Sequence, residues 1–190
     1  HQNAVLQFDG LDTFAEVYLN GTKILSANNM FRTWKVDVKK WLKVGQNKLE
    51  ITFASAVKKG KEEAKKLLYT LPGDEKVFTR KAQYHFGWDW GPRFVTAGIY
   101  KKVALRFWDN ATIMQVKTNQ DLTDKSMAKV LFTIDINSNK IGQYQLTIND
   151  KSEEILLQKG QNTLSFSYEI KNPKLWWPNG LGEAHLYPFE

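Results

Sequence analysis

A chain of 190 residues with 42% hydrophobic content is long enough for one large β domain or two smaller ones, and no apolar run nears the roughly 18 residues of a membrane span. With no cysteine, disulfides, thiolate metal sites and a cysteine nucleophile are excluded. The formal charge of +7 invites a phosphate partner, but the lysines are spread over both halves at strand positions such as Lys48 and Lys129. No helix-turn-helix, zinc-finger or RNA-binding pattern accompanies them, so no nucleic-acid partner is expected.

The opening His1-Gln2-Asn3-Ala4 carries neither an initiator Met nor a charged-then-apolar leader, which predicts a processed or shortened start. The compartment is not fixed by the sequence, with an extracytoplasmic one weakly favoured; the lack of cysteine does not exclude it, because a periplasmic protein need not carry disulfides. Val5-Leu6-Gln7-Phe8 and Phe14-Ala15-Glu16-Val17-Tyr18-Leu19 read as strands, and Asn20-Gly21 accepts the positive φ of a tight hairpin turn before the return strand Thr22-Lys23-Ile24-Leu25. Trp34, Val36 and Val38 alternate with charged residues. After Gly45-Gln46-Asn47, so do Leu49, Ile51 and Phe53; period two marks strands with one buried face.

Residues 57–68 change character: Lys58, Lys59, Lys61, Glu62, Glu63, Lys65 and Lys66 predict a short exposed helix paired by Glu62 with Lys66, ended by Leu71-Pro72-Gly73-Asp74. Residues 99–107 read as one strand with Val103, Leu105 and Phe107 on one face. Trp108-Asp109-Asn110 is the expected joint between domains at 1–108 and 109–190. Beyond it, Ile113 with Val116, then Val130 to Ile136, Tyr144 to Ile148 and Leu164 to Ile170 mark strands separated by Asn137-Ser138-Asn139, Asn149-Asp150 and Gly160-Gln161-Asn162. That spacing predicts an immunoglobulin-like sandwich.

The densest chemistry lies in Arg80-Lys81-Ala82-Gln83-Tyr84-His85-Phe86-Gly87-Trp88-Asp89-Trp90-Gly91-Pro92-Arg93. Glycine and proline bracket Trp88-Asp89-Trp90, which should be a stiff, presented segment; if extended, it points both indoles one way and Asp89 the other. Indole faces suit C–H surfaces and a carboxylate accepts hydrogen bonds from neighbouring hydroxyls, a pairing that describes a sugar. Taken on residue types alone, a packed aromatic cluster with Asp89 capping a turn is the preferred reading, because aromatic stretches more often pack than bind. His1, His85 and His185 have no metal-ligand spacing, and neither a cofactor nor a metal is expected.

The run from Arg80 to Pro92 resembles the tryptophan-rich motif of β-mannosidases in glycoside hydrolase family 2. Residues 8–21 are similar to that family's sugar-binding jelly roll. The tail Leu175-Trp176-Trp177-Pro178-Asn179-Gly180 looks like the segment that closes its second domain, a structural corner to which no chemistry is assigned.

The resemblance implies an all-β chain: an N-terminally truncated, galactose-binding-like jelly roll followed by an immunoglobulin-like sandwich, without the family's catalytic barrel. It further implies that Asp89 hydrogen-bonds hydroxyls of a terminal β-mannoside and that Trp88 walls the same subsite. Trp90 is grouped with them as substrate-binding, although Trp90, His85 and Arg93 fit structural support equally. The expected partners are a β-mannoside sugar and the barrel of a full-length enzyme.

No catalytic residue is expected within the chain. Retaining glycosidases need two carboxyl groups about 5 Å apart; the resemblance implies two glutamates on the barrel, one directly after an Asn, and no Asn-Glu dipeptide occurs here. The alternatives are a stand-alone carbohydrate-binding module and a protein-interaction sandwich.

Overall fold

A computed structural model describes residues 1–190 and divides them into two compact units, His1–Phe107 and Trp108–Glu190. Both are β-sandwiches, and the chain is all-β apart from one short helix.

In the first unit, β1 (Asn3–Phe8) lies between β5 (Trp34–Asp37) and β8 (Val103–Trp108), while β3 (Phe14–Leu19) lies between β4 (Thr22–Asn28) and β6 (Leu49–Ala54). Strict alternation buries Ala4, Leu6 and Phe8 of β1 and Ala15, Val17 and Leu19 of β3, which together form one core cluster with Leu11, Ala27 and Val38. Burying a side chain such as Phe8 or Val17 contributes about 1.5–3 kcal/mol. Asn20 and Gly21 turn the β3–β4 hairpin at φ 51° and 82°, as the sequence predicts.

β2 (Leu11–Asp12) pairs with β7 (Gly98–Ile99), Asp12 opposite Gly98. The predicted continuous strand over 99–107 is therefore two: β7 ends at Ile99 and β8 begins at Val103. Between them Tyr100 turns its hydroxyl to Met30 O, and Lys102 O accepts from the Asp9 amide at 3.0 Å. Leu105 and Phe107, placed on one face with Val103 by the sequence pattern, are exposed.

The helix, α1 (Ala56–Ala64), starts where Ser55 accepts the Lys58 amide at 3.3 Å. It stops short of the expected 68, because the chain tightens into i→i+3 bonds from Lys66 N to Glu63 O (3.0 Å) and from Leu67 N to Ala64 O (3.2 Å). Lys66 then pairs with Glu63 and Lys59 with Glu62, replacing the predicted Glu62–Lys66 pair. Nor is the helix only a solvated face. Ala56 and Gly60 are buried, and a Cβ on residue 60 would sit 2.3 Å from the carbonyl oxygen of Glu75, in the 3₁₀ segment Asp74–Phe78.

In the second unit, β10 (Met127–Ser138) is flanked by β9 (Ala111–Asp121) and β13 (Gly160–Lys171), and β11 (Gly142–Ile148) pairs with β12 (Lys151–Leu157). Val130, Phe132, Ile134 and Ile136 join Leu146, Ile148, Leu157 and Phe166 in its core. Asn137 and Ser138, expected in a turn, close β10. β12 was not foreseen, because Ser152-Glu153-Glu154 hides its alternation.

One local device recurs. Asn47 takes the Lys43 amide at 2.9 Å and donates to Lys43 O and Gly45 O, and Asn162 does the same with Gln158 N, Gln158 O and Gly160 O. Each Gly-Gln-Asn tripeptide thus fastens its own turn.

Candidate functional site

Residues 80–96 form a loop closed at successive levels. At its base the segment is stitched to the first sandwich: Asn29 bridges to Arg80, and the Met30 amide donates to Arg80 O at 3.0 Å. Lys81 then enters the interior. Its side chain is fully buried, its ammonium pairs with the Asp12 carboxylate on β2, and it also donates to Thr96 O at 2.8 Å. One cation thus joins the entry of the loop, its exit and the strand beneath. Such partners offset the cost of taking an ammonium out of water.

His85 lies beside this pair, with Nδ1 3.7 Å from Asp12 Oδ2 and its ring edge-on to Tyr84 at 4.7 Å. Burial, then the Lys81 charge, push its pKa below the ordinary imidazole range; Asp12 opposes them. The neutral ring is therefore favoured. Burial also raises the Tyr100 phenol pKa.

Higher up, the 3₁₀ turn Gln83–Phe86 buries Phe86 and ends at Gly87. Gly87 has φ 95°, a region closed to most side chains, and a Cβ there would meet Arg93 Cβ at 3.3 Å. Arg93 donates to Phe86 O at 3.4 Å, lies 5.4 Å over the Phe86 ring and pairs with Glu75. The hydrogen bond that Arg93 donates to Glu75, before any other cause, holds the Glu75 carboxyl below its usual pKa.

At the tip the Trp88 amide donates to Gly91 O at 3.0 Å and the Gly91 amide returns a bond to Trp88 O at 3.2 Å. Trp88-Asp89-Trp90-Gly91 is thus a closed turn, which corrects the extended reading: Asp89 and Trp90 share its apex rather than alternating across a strand. Both indoles are outside the core, Trp88 at 58% and Trp90 at 78% exposure, and Asp89 is exposed as well. The packed-cluster reading does not describe these side chains. Lys81, Asp12 and Glu75 carry no role in the sequence reading, and Arg93 only that of a candidate structural support; the length of the motif that contains Lys81 and Arg93 is the only signal.

In the second unit, Trp176 bridges to Ala184, and a cavity of about 480 Å³ opens between that tail and β9–β10, lined by Thr118, Val130, Trp176, Leu186 and Tyr187 among others. No residue of the tryptophan loop lines it.

Residues 1–101 match the family described as glycosyl hydrolase 2 galactose-binding domain-like, and residues 108–190 match glycosyl hydrolases family 2. The chain belongs to glycosyl hydrolase family 2. Within that family it is 38% identical over 196 residues to beta-mannosidase B of Aspergillus fumigatus and 37% identical over 197 to that of Aspergillus niger, spanning 96% of this chain but 23% of each relative. The crystal structure of a beta-D-mannosidase from Dictyoglomus thermophilum superposes with a TM-score of 0.87 at 38% identity, covering 96% of this chain and 24% of that one. The exo-chitosanase of Amycolatopsis orientalis superposes at 0.69 with 21% identity, a likeness of fold alone, over 95% of this chain and 20% of its own. The chain spans about a quarter of the length of the beta-mannosidases it matches.

Proposed function

We propose that this chain is the non-catalytic, sugar-reading portion of a retaining exo-β-mannosidase, with a galactose-binding-like domain over residues 1–108 and an immunoglobulin-like domain over 109–190. Trp88-Asp89-Trp90 is presented to the substrate pocket of a separate catalytic barrel. Asp89 accepts hydrogen bonds from hydroxyls of the terminal β-mannosyl unit, and the indoles of Trp88 and Trp90 wall the subsite. The observation that carries this reading is the closed, exposed turn with a carboxylate at its apex, on a chain 38% identical to beta-mannosidases.

A side chain outside the barrel raises turnover when its hydrogen bonds strengthen as the sugar distorts toward the transition state. The cleavage itself, on this reading, belongs to two glutamates of the barrel, so the isolated chain is expected not to hydrolyse an aryl β-mannoside. In the full-length enzyme Asp89→Ala lowers kcat/KM at least tenfold, about 1.4 kcal/mol of transition-state binding. Unchanged kinetics would remove the site assignment.

The exposed indole pair also suits a stand-alone carbohydrate-binding module. Calorimetry of the isolated chain with mannose and short mannans separates the two: weak or absent binding fits a pocket completed by the barrel, whereas tight binding fits the module.

A further inference from the structure

We infer that Glu75 and Arg93 form a brace that sets where the Trp88–Gly91 turn stands, and that α1 positions this brace through Gly60. The use made of the brace rests on the sugar-pocket reading above; its existence does not.

Three observations converge. Arg93 is more tightly held than a surface arginine half exposed to solvent would be, because its guanidinium is engaged by Glu75, by Phe86 O and by the face of the Phe86 ring. The same residue's backbone and Cβ press against Gly87, where the loop narrows. Any shift of Arg93 therefore moves the stem on which Trp88 and Gly91 close. Glu75 is the buried end of the pair, with a side chain only 10% exposed. Its main chain is fixed in turn by α1, since only a glycine at 60 allows Glu75 O to approach so closely. The helix thus supports a loop more than twenty residues further along the chain, with no direct bond between them.

Arg93 and Glu75 act in this scheme as positioning residues, because neither reaches the apex itself. Glu75→Gln keeps the shape and removes the charge. Arg93→Gln removes the fork, and Arg93→Lys keeps the charge alone. Gly60→Ala displaces Glu75 while leaving both charged groups of the pair in place chemically.

The test is amide hydrogen exchange on the 190-residue chain, read at Trp88 and Gly91 with β3 as internal reference. Glu75→Gln, Arg93→Gln and Gly60→Ala should each speed exchange at those two amides about tenfold, with the Glu75→Gln/Arg93→Gln double no faster than either single, Arg93→Lys intermediate and β3 unchanged. Unchanged exchange at Trp88 and Gly91, additive effects in the double, or an equal loss of protection in β3 would overturn the brace.

In the full-length enzyme Arg93→Gln should lower kcat/KM on an aryl β-mannoside about fivefold, with Arg93→Lys recovering part. If Asp89→Ala damages the enzyme and Arg93→Gln does not, the brace has no part in the site and the inference falls. Should both be silent while exchange is faster, the sugar-pocket reading fails and the brace stands.

Discussion

Lys81 shows how one side chain can hold a loop without appearing on its surface. Its ammonium has no access to water and depends on Asp12 and Thr96 O for its solvation. Lys81→Met leaves the Asp12 carboxylate buried and unpaired, and should cost about 3–5 kcal/mol in urea unfolding followed by near-ultraviolet circular dichroism. Adding Asp12→Asn should recover a large part of that loss, since both desolvated charges are then gone.

His85 beside them gives a pH signature. Its folded pKa lies below 6.5, so as pH falls through that value the unfolded chain takes up the proton first and the folded state loses stability; above it the contribution is complete. Thermal unfolding should therefore show a decline below about pH 6.5 that is reduced in His85→Gln, whereas a pH-independent difference between the two would contradict the burial of the ring. At Gly87, with φ 95° and ψ 158°, alanine should cost roughly 1–3 kcal/mol for its backbone conformation alone.

Among the elements, strands with alternating apolar residues were legible, and those without were not. β1, β3, β6 and β10 follow from their period, and the β3–β4 turn follows from Asn20-Gly21. β12 did not, because four polar residues, Lys151 to Glu154, precede Ile155 and its pairing with β11 decides its conformation. The helix was legible in kind but not in length, since its end is set by local tightening after Ala64 rather than by the later proline. The two asparagine fasteners were read only as turns. Asn47→Ala and Asn162→Ala should each lower stability by about 1–2 kcal/mol in thermal melts, with the Asn→Asp variants intermediate, because they keep the acceptor and lose the donor.

For the molecule as a whole, the two cores share no residue. Phe132 is buried in the second, edge-on to Phe189 at 5.0 Å, and Phe132→Ala should cost about 3–5 kcal/mol there. Exchange protection in β3 of the first unit should be unaffected. A parallel loss in both units would mean that they unfold as one. The strands and the immunoglobulin-like spacing of the second unit were available from patterning spread over many residues, and the jelly roll of the first from the resemblance of its motifs. The loop's interior was not, because Lys81 with Asp12 and Glu75 with Arg93 are pairs 69 and 18 residues apart that only the fold brings together.

The turn at Trp88 is shut by peptide groups alone, so the indole of Trp90 and the carboxylate of Asp89 have no scaffolding duty. Their chemistry can be rewritten while the frame stays put. Libraries varied at 89 and 90 alone should therefore yield folded proteins throughout; on the sugar-pocket reading proposed above, they differ in the glycoside they favour.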